Sequence, residues 1–152
     1  MNPLLHFLSN APLVPAFVAW AVCQTIKGLM YRFRNHRWDI RCFLGSGGMP
    51  SSHTATVVAL VYFIAAKDGL ESTSFSVAII LAFIVMYDAV GVRRETGKQS
   101  RILNLITDRT LEPGELVFDK LKEIVGHSPK EVFGGVLVGI AVGALFSLFL
   151  VR

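Results

Sequence analysis

The sequence predicts an all-α protein: a polytopic bundle of about four transmembrane helices with a cytoplasmic helical segment. Three observations predict it. The 152 residues are 53% hydrophobic, with a mean hydropathy of +0.54, more apolar than a soluble domain of this length, which is enough for one domain. Charge is segregated. Residues 2–26, 43–66, 72–87 and 132–151 carry no Asp, Glu, Lys or Arg, and each approaches the ~20 residues that cross a bilayer as a helix. Finally, the basic residues gather between those stretches. Arg32, Arg34, Arg37 and Arg41 lie in one connection, and Arg93, Arg94, Lys98, Arg101, Arg109, Lys120, Lys122 and Lys130 in another.

Taken in order, the single membrane domain reads as spans at about 13–30, 50–66, 73–92 and 130–151, the second short, with a cytoplasmic segment at 93–129. Residues 2–12 hold two prolines and two asparagines and read as an interfacial lead-in. Gln24 and Lys27 stand where a signal peptide would need small residues. Pro15 is tolerable in a first helical turn. The arginines of 31–41 are interleaved with Tyr31, Phe33 and Trp38, a composition that suits headgroups. Ser72 or Thr73 caps the third span. Two amphipathic helices are expected in the polar segment, about Glu95–Asp108 and Gly114–Val125, broken at Glu112-Pro113-Gly114. Gly135, Gly139 and Gly143 recur every four residues in the last span and allow close helix contact. Internal packing is the first expectation for them, and a dimer face of a homo-oligomer the second.

Lysine and arginine also set the orientation. Both basic connections lie on one side of the membrane, whereas the other side holds only Lys67 and Arg152. The positive-inside rule places the basic connections in the cytoplasm and both termini outside. The net charge of +4 thus follows from topology and calls for no nucleic acid. Cys23 and Cys42 flank the Lys27 region, one of them inside a span, and indicate no disulfide framework.

The chemistry is concentrated at Gly45-Ser46-Gly47-Gly48-Met49-Pro50-Ser51-Ser52-His53. A glycine-rich turn runs into two serines and a histidine at a helix start. Unpaired N–H groups at such a terminus attract anions, phosphate above all. A serine N-cap with His53 merely in the first turn explains the same residues. Topology brings further polar residues to that membrane face. Lys27 ends the first span, Asp88, Arg93 and Arg94 end the third, and His127 and Glu131 open the fourth. Ionisable groups at span ends are costly and call for a functional explanation. Otherwise Lys27 snorkels to the interface and Asp88 pairs with it or with an arginine.

Pro50-Ser51-Ser52-His53 resembles the Pro-Ser-Gly-His signature of the type 2 phosphatidic acid phosphatase superfamily, which includes the vanadium-dependent haloperoxidases. Lys27, six residues, then Arg34 resembles its lysine–arginine signature. His127, three residues, then Glu131 and Gly135 are similar to its histidine–aspartate signature. Three blocks, Gly47–His53, Asp88–Arg94 and Gly126–Val132, resemble more closely a divergent, short branch called acid phosphatase/vanadium-dependent haloperoxidase-related. That likeness covers nearly the whole chain.

The resemblance implies roles. His127 would be the nucleophile, Glu131 its orienting acid and His53 the acid for the leaving oxygen. Lys27, Arg34, Arg93 and Arg94, with Ser51 and Ser52, would hold the phosphoryl oxygens, and Gly48 and Asp88 would support the site. No metal and no cofactor is implied. The residue types suit the chemistry. A neutral imidazole is a nucleophile near pH 7, a second can be the acid, and fixed cations stabilise charge on the transferring phosphoryl. The departures are that Ser52 replaces the family glycine, Asn35 stands at a usual proline, Glu131 replaces aspartate, and Arg93 lies far upstream of the nucleophile. The family's membrane members also usually have six spans. Ser128-Pro129-Lys130-Glu131 is, independently, a capping box with proline at the first helical position.

The expected function is a metal-independent phosphohydrolase acting on a lipid phosphate or diphosphate through a phosphohistidine. It would work in a bacterial-type plasma membrane, with its site facing the cytoplasm and the bilayer and its lipid as partners. The alternatives are a non-catalytic membrane protein that binds phosphorylated lipid or a partner through 93–130, and a metal site built from His53, His127, Glu131 and Asp88.

Overall fold

The computed structural model describes residues 12–37, 48–110, 120–121, 123 and 126–151. The lead-in before Pro12, residues 38–47 with Arg41, Cys42 and most of the glycine-rich turn, and most of the second amphipathic helix lie outside them. The described residues form five helices and no strand: α1 Leu13–Asn35, α2 Ser52–Asp68, α3 Thr73–Val90, α4 Val92–Thr110 and α5 Pro129–Leu150.

Each helix boundary has a local cause. α1 runs five residues past the expected position 30, because nothing after Met30 breaks it. It stops where His36 turns left-handed at φ 55° and gives its N–H to Arg32 O at 2.9 Å. Ser51 caps α2 and Ser72 caps α3, each hydroxyl accepting an N–H from the first turn. α3 ends at Gly91, whose N–H bonds Tyr87 O at 2.8 Å. The chain re-enters a helix at once, so α4 starts at Val92, three residues before its expected Glu95. α5 opens with the capping box and proline expected at Ser128–Glu131.

α2 is the centre of the bundle and packs on α1, α3 and α5. Its buried residues, including Ala55, Ala59 and Phe63, occupy most of its circumference. With 17 residues it is roughly 25 Å long, shorter than the ~30 Å hydrocarbon core, and its neighbours cover it. α1, α5 and the α3 portion of a 73–109 run are long and apolar enough to cross a membrane. The protein is a multi-pass helical membrane bundle.

Small residues make the contacts. α3 buries only Ala78, Ala82 and Ala89, while Phe83, Ile84 and Tyr87 point outward, Tyr87 being 77% exposed. This is the expected pattern where the surroundings are as apolar as the core. The α5 glycines face α2. A Cβ at Gly139 would lie 2.7 Å from Val58 Cβ, and one at Gly143 2.8 Å from Tyr62 Cβ. Internal packing therefore accounts for the glycine stripe, and it is not available as a dimer face.

Candidate active site

The site forms where the ends of α1 and α3 meet the starts of α2, α4 and α5. His127 is its best-fixed member. It lies just before α5 and is 2% exposed. Three features hold it. Gly126 has φ +112°, and a Cβ there would sit 2.6 Å from Arg94 N. The chain can pass this close to the start of α4 only as glycine. The His127 N–H bonds Ala89 O at 2.9 Å. In a continuous helix that carbonyl would serve residue 93, so the break at Gly91 releases it. Finally, His127 Nδ1 lies 3.1 Å from Glu131 Oε2.

Glu131 serves two purposes at once. The same Oε2 accepts the Ser128 N–H at 2.9 Å, completing the capping box. The cap explanation and the orienting role therefore do not compete. On the other edge of the His127 ring, Nε2 is buried and has no hydrogen-bond partner among the described residues. A buried imidazole nitrogen without a partner costs free energy. The His53 ring is near, tilted at 58° to the His127 ring with centroids 6.3 Å apart.

Lys27 is buried, 6% exposed, so it does not snorkel. Its Nζ donates to Ser52 Oγ at 3.3 Å, and it is within electrostatic range of Glu131. His53 is within range of Lys27, Asp88, Arg93 and His127. These residues come from positions 27 to 131, and the fold gathers them at one end of the bundle. Ser51 is fully buried, and its hydroxyl oxygen accepts from Thr54 N–H and, at 3.0 Å, from Thr54 Oγ1. Its N–H bonds Glu131 O at 2.9 Å, tying the start of α2 to the start of α5. Gly48 adopts φ +89° just before this turn.

Two cavities meet at Gly126 and His127. The first, about 210 Å³, is lined by His53, Asp88, Arg93 and His127 together with Ile84, Val85 and Ala89. Asp88 and Arg93 are paired there at 2.6 Å, so Asp88 takes an arginine rather than Lys27. An apolar groove of about 520 Å³ on α3 shares Ile84 and Asp88 with it and continues over Phe83, Tyr87 and Val92. The second cavity, about 300 Å³, is lined by Arg94, Lys98, Arg101, Glu123, His127 and Glu131, among others. Arg93 and Arg94 thus part company. Arg34, exposed in the last turn of α1, lines neither cavity.

No group of three His, Cys, Asp or Glu side chains gathers as a metal ligand set among the described residues. The metal reading from His53, His127, Glu131 and Asp88 gains no support from their arrangement. Two features escaped sequence reasoning. Lys98 and Arg101 join Arg94 through spacings of four and three residues, a one-face pattern legible in the sequence. Gln24 is buried beside Lys27 and Cys23, and its Oε1 has no partner among the described residues. Only the fold reveals that.

A family model described as the Divergent PAP2 family matches residues 8–142. The chain is 36% identical over 156 residues to a protein of Bacillus subtilis (strain 168) described as "Uncharacterized membrane protein YuiD", covering 95% of this chain and 99% of that one. No solved structure matches. With the signature-like blocks assembled at one end of a helical membrane bundle and the family match spanning most of its length, the chain belongs to the Divergent PAP2 family.

Proposed function

We propose that the protein hydrolyses a lipid phosphate or diphosphate at the cytoplasmic membrane face through a phosphohistidine. The observation that carries this reading is His127: buried, held at Nδ1 by a carboxylate, and unpartnered at Nε2 beside a second histidine. A base held by a third group with its reactive atom free is the signature of an activated nucleophile.

The steps follow from that arrangement. His127 Nε2 attacks phosphorus as the bond to the leaving oxygen breaks. His53 gives that oxygen its proton. Glu131 fixes the proton of His127 at Nδ1 and stabilises the positive charge that forms on the ring. Lys27 and Arg93, with the Ser52 hydroxyl, stabilise the phosphoryl oxygens. Water then attacks the phosphohistidine and gives its proton to His53, which releases phosphate and restores both histidines. Each role is filled by a side chain of this protein. Lipid specificity is supported by the groove over Phe83, Ile84 and Tyr87, continuous with the His53 cavity and on the outward face of α3. An acyl or prenyl chain lying there brings its headgroup to the histidines from the side.

The experiment is turnover of lipid phosphates and diphosphates by the purified protein in bilayer discs, with acid-labile phosphoenzyme trapped from labelled substrate. The reading requires both signals, and both lost in His127→Ala. Vanadate binding through these residues without turnover would instead establish a non-catalytic binder of phosphorylated lipid. Reporter fusions test the orientation: Gly69 should report the outside, and Gly114 the cytoplasm.

A further inference from the structure

We propose that the cavity lined by Arg94, Lys98 and Arg101 is a second anion site, distinct from the His53 cavity, that takes a phosphate-class dianion. The three side chains lie on successive turns of α4, and the chain from Gly126 to Glu131 forms the opposite wall. Arg94 and Arg101 have no hydrogen-bond or ion-pair partner among the described residues, and Lys98 is paired only with Glu95, at 2.6 Å. Two carboxylates share the wall, but both are engaged elsewhere. Glu131 Oε2 accepts from Ser128 N and faces His127 Nδ1, and Glu123 Oε1 accepts from Asn104 Nδ2 at 2.9 Å.

The wall is also built rather than loose. Asn104 is buried and ties Leu121 and Glu123 to α4 through three hydrogen bonds. Its Nδ2 donates to Leu121 O and to Glu123 Oε1, and its Oδ1 accepts the Leu121 N–H, each at 2.9 Å. Gly126 presses against the backbone of Arg93 and Arg94. Two exposed guanidinium groups lining one space of about 300 Å³ suit the tetrahedral oxygens of phosphate, which arginine binds with paired N–H groups. The occupant is either free inorganic phosphate or the second phosphate of a lipid headgroup. The cavity opens beside the catalytic dyad, on the face of His127 that carries Glu131.

Phosphate stoichiometry tests the site without requiring turnover. Labelled inorganic phosphate is titrated onto the full-length protein in bilayer discs by equilibrium dialysis. Wild type should bind two phosphates per chain. Arg94→Ala and Arg101→Ala should each weaken one of them about tenfold to a hundredfold, the range for a hydrogen bond to a charged group, and leave the other. Arg101→Lys should restore part of the loss. A single phosphate, or two that both ignore Arg94 and Arg101, overturns the proposal, provided the variants retain the wild-type helical circular dichroism. If two phosphates bind but no lipid phosphate is hydrolysed, the second site stands and the phosphohydrolase reading fails. Steady-state kinetics separate the sources. If Arg101→Ala raises KM for a lipid diphosphate more than for the monophosphate, the occupant is the headgroup. If it relieves inhibition by inorganic phosphate, the occupant is the free ion.

Discussion

The two cavities beside His127 differ in nearly everything except Gly126 and His127, which line both. The first is largely apolar. It holds His53 and one arginine already paired with Asp88, and it opens onto the outward face of α3. The second is strongly basic, carries the Glu131 side of the dyad, and opens along α4. Arg93 and Arg94 are adjacent in sequence, yet each serves a different cavity. Successive residues on a helix point about 100° apart, and α4 begins at the point where the His127 segment crosses it. The doublet of like charges is therefore split between two cavities rather than joined in one patch. One cavity sets a histidine against an apolar lining, and the other gathers the cations of α4.

The sharpest way to break this division is at the shared histidine. His127→Ala should abolish turnover and covalent phosphorylation together, as measured by phosphate release and phosphoenzyme trapping. A folded His127→Ala protein with undiminished activity would remove the nucleophile and with it the meaning of the first cavity.

Next in size is His53→Ala. Loss of one general acid should slow hydrolysis of an alkyl phosphate by ~10²–10⁴-fold. A nitrophenyl phosphate, whose leaving group needs little protonation, should be partly spared. Equal losses on both substrates would mean that His53 positions the phosphoryl group and does not protonate.

Glu131→Gln comes third. Glutamine also serves a capping box, so α5 should keep its start and the melting temperature should move little. The charge that supports a cationic His127 is lost, and turnover should fall about 10- to 100-fold, as for a hydrogen bond to a charged group. If stability drops and activity per folded molecule does not, Glu131 is only a cap.

The smallest effect compares two arginines of α4. Arg93→Ala should lower kcat/KM on lipid phosphates about tenfold, in line with one charge-assisted contact. Arg109→Ala, exposed at the far end of the helix, should stay within about twofold. Equal effects would mean that α4 contributes only diffuse charge.

Much of this was legible in the residues themselves. Segregated charge predicts a helical membrane bundle because the bilayer rejects ions over ~20 residues. Serine before an apolar run predicts the caps of α2, α3 and α5, since a cap is settled within four residues. The likeness of Pro50–His53 and His127–Glu131 to known signatures singles out the two histidines, because the chemistry needs those residue types in any fold. Other features depend on contacts across the chain. That Glu131 is both cap and His127 partner follows from where Gly126 lets the chain cross α4. That Asp88 meets Arg93 and not Lys27 follows from the break at Gly91 and from Ser52 facing Lys27. Local sequence fixes what a backbone does over a turn or two, and composition fixes what solvent it tolerates. Which of several like charges reaches a shared cavity is decided by helix rotation and close approach. Those depend on packing between residues up to a hundred positions apart.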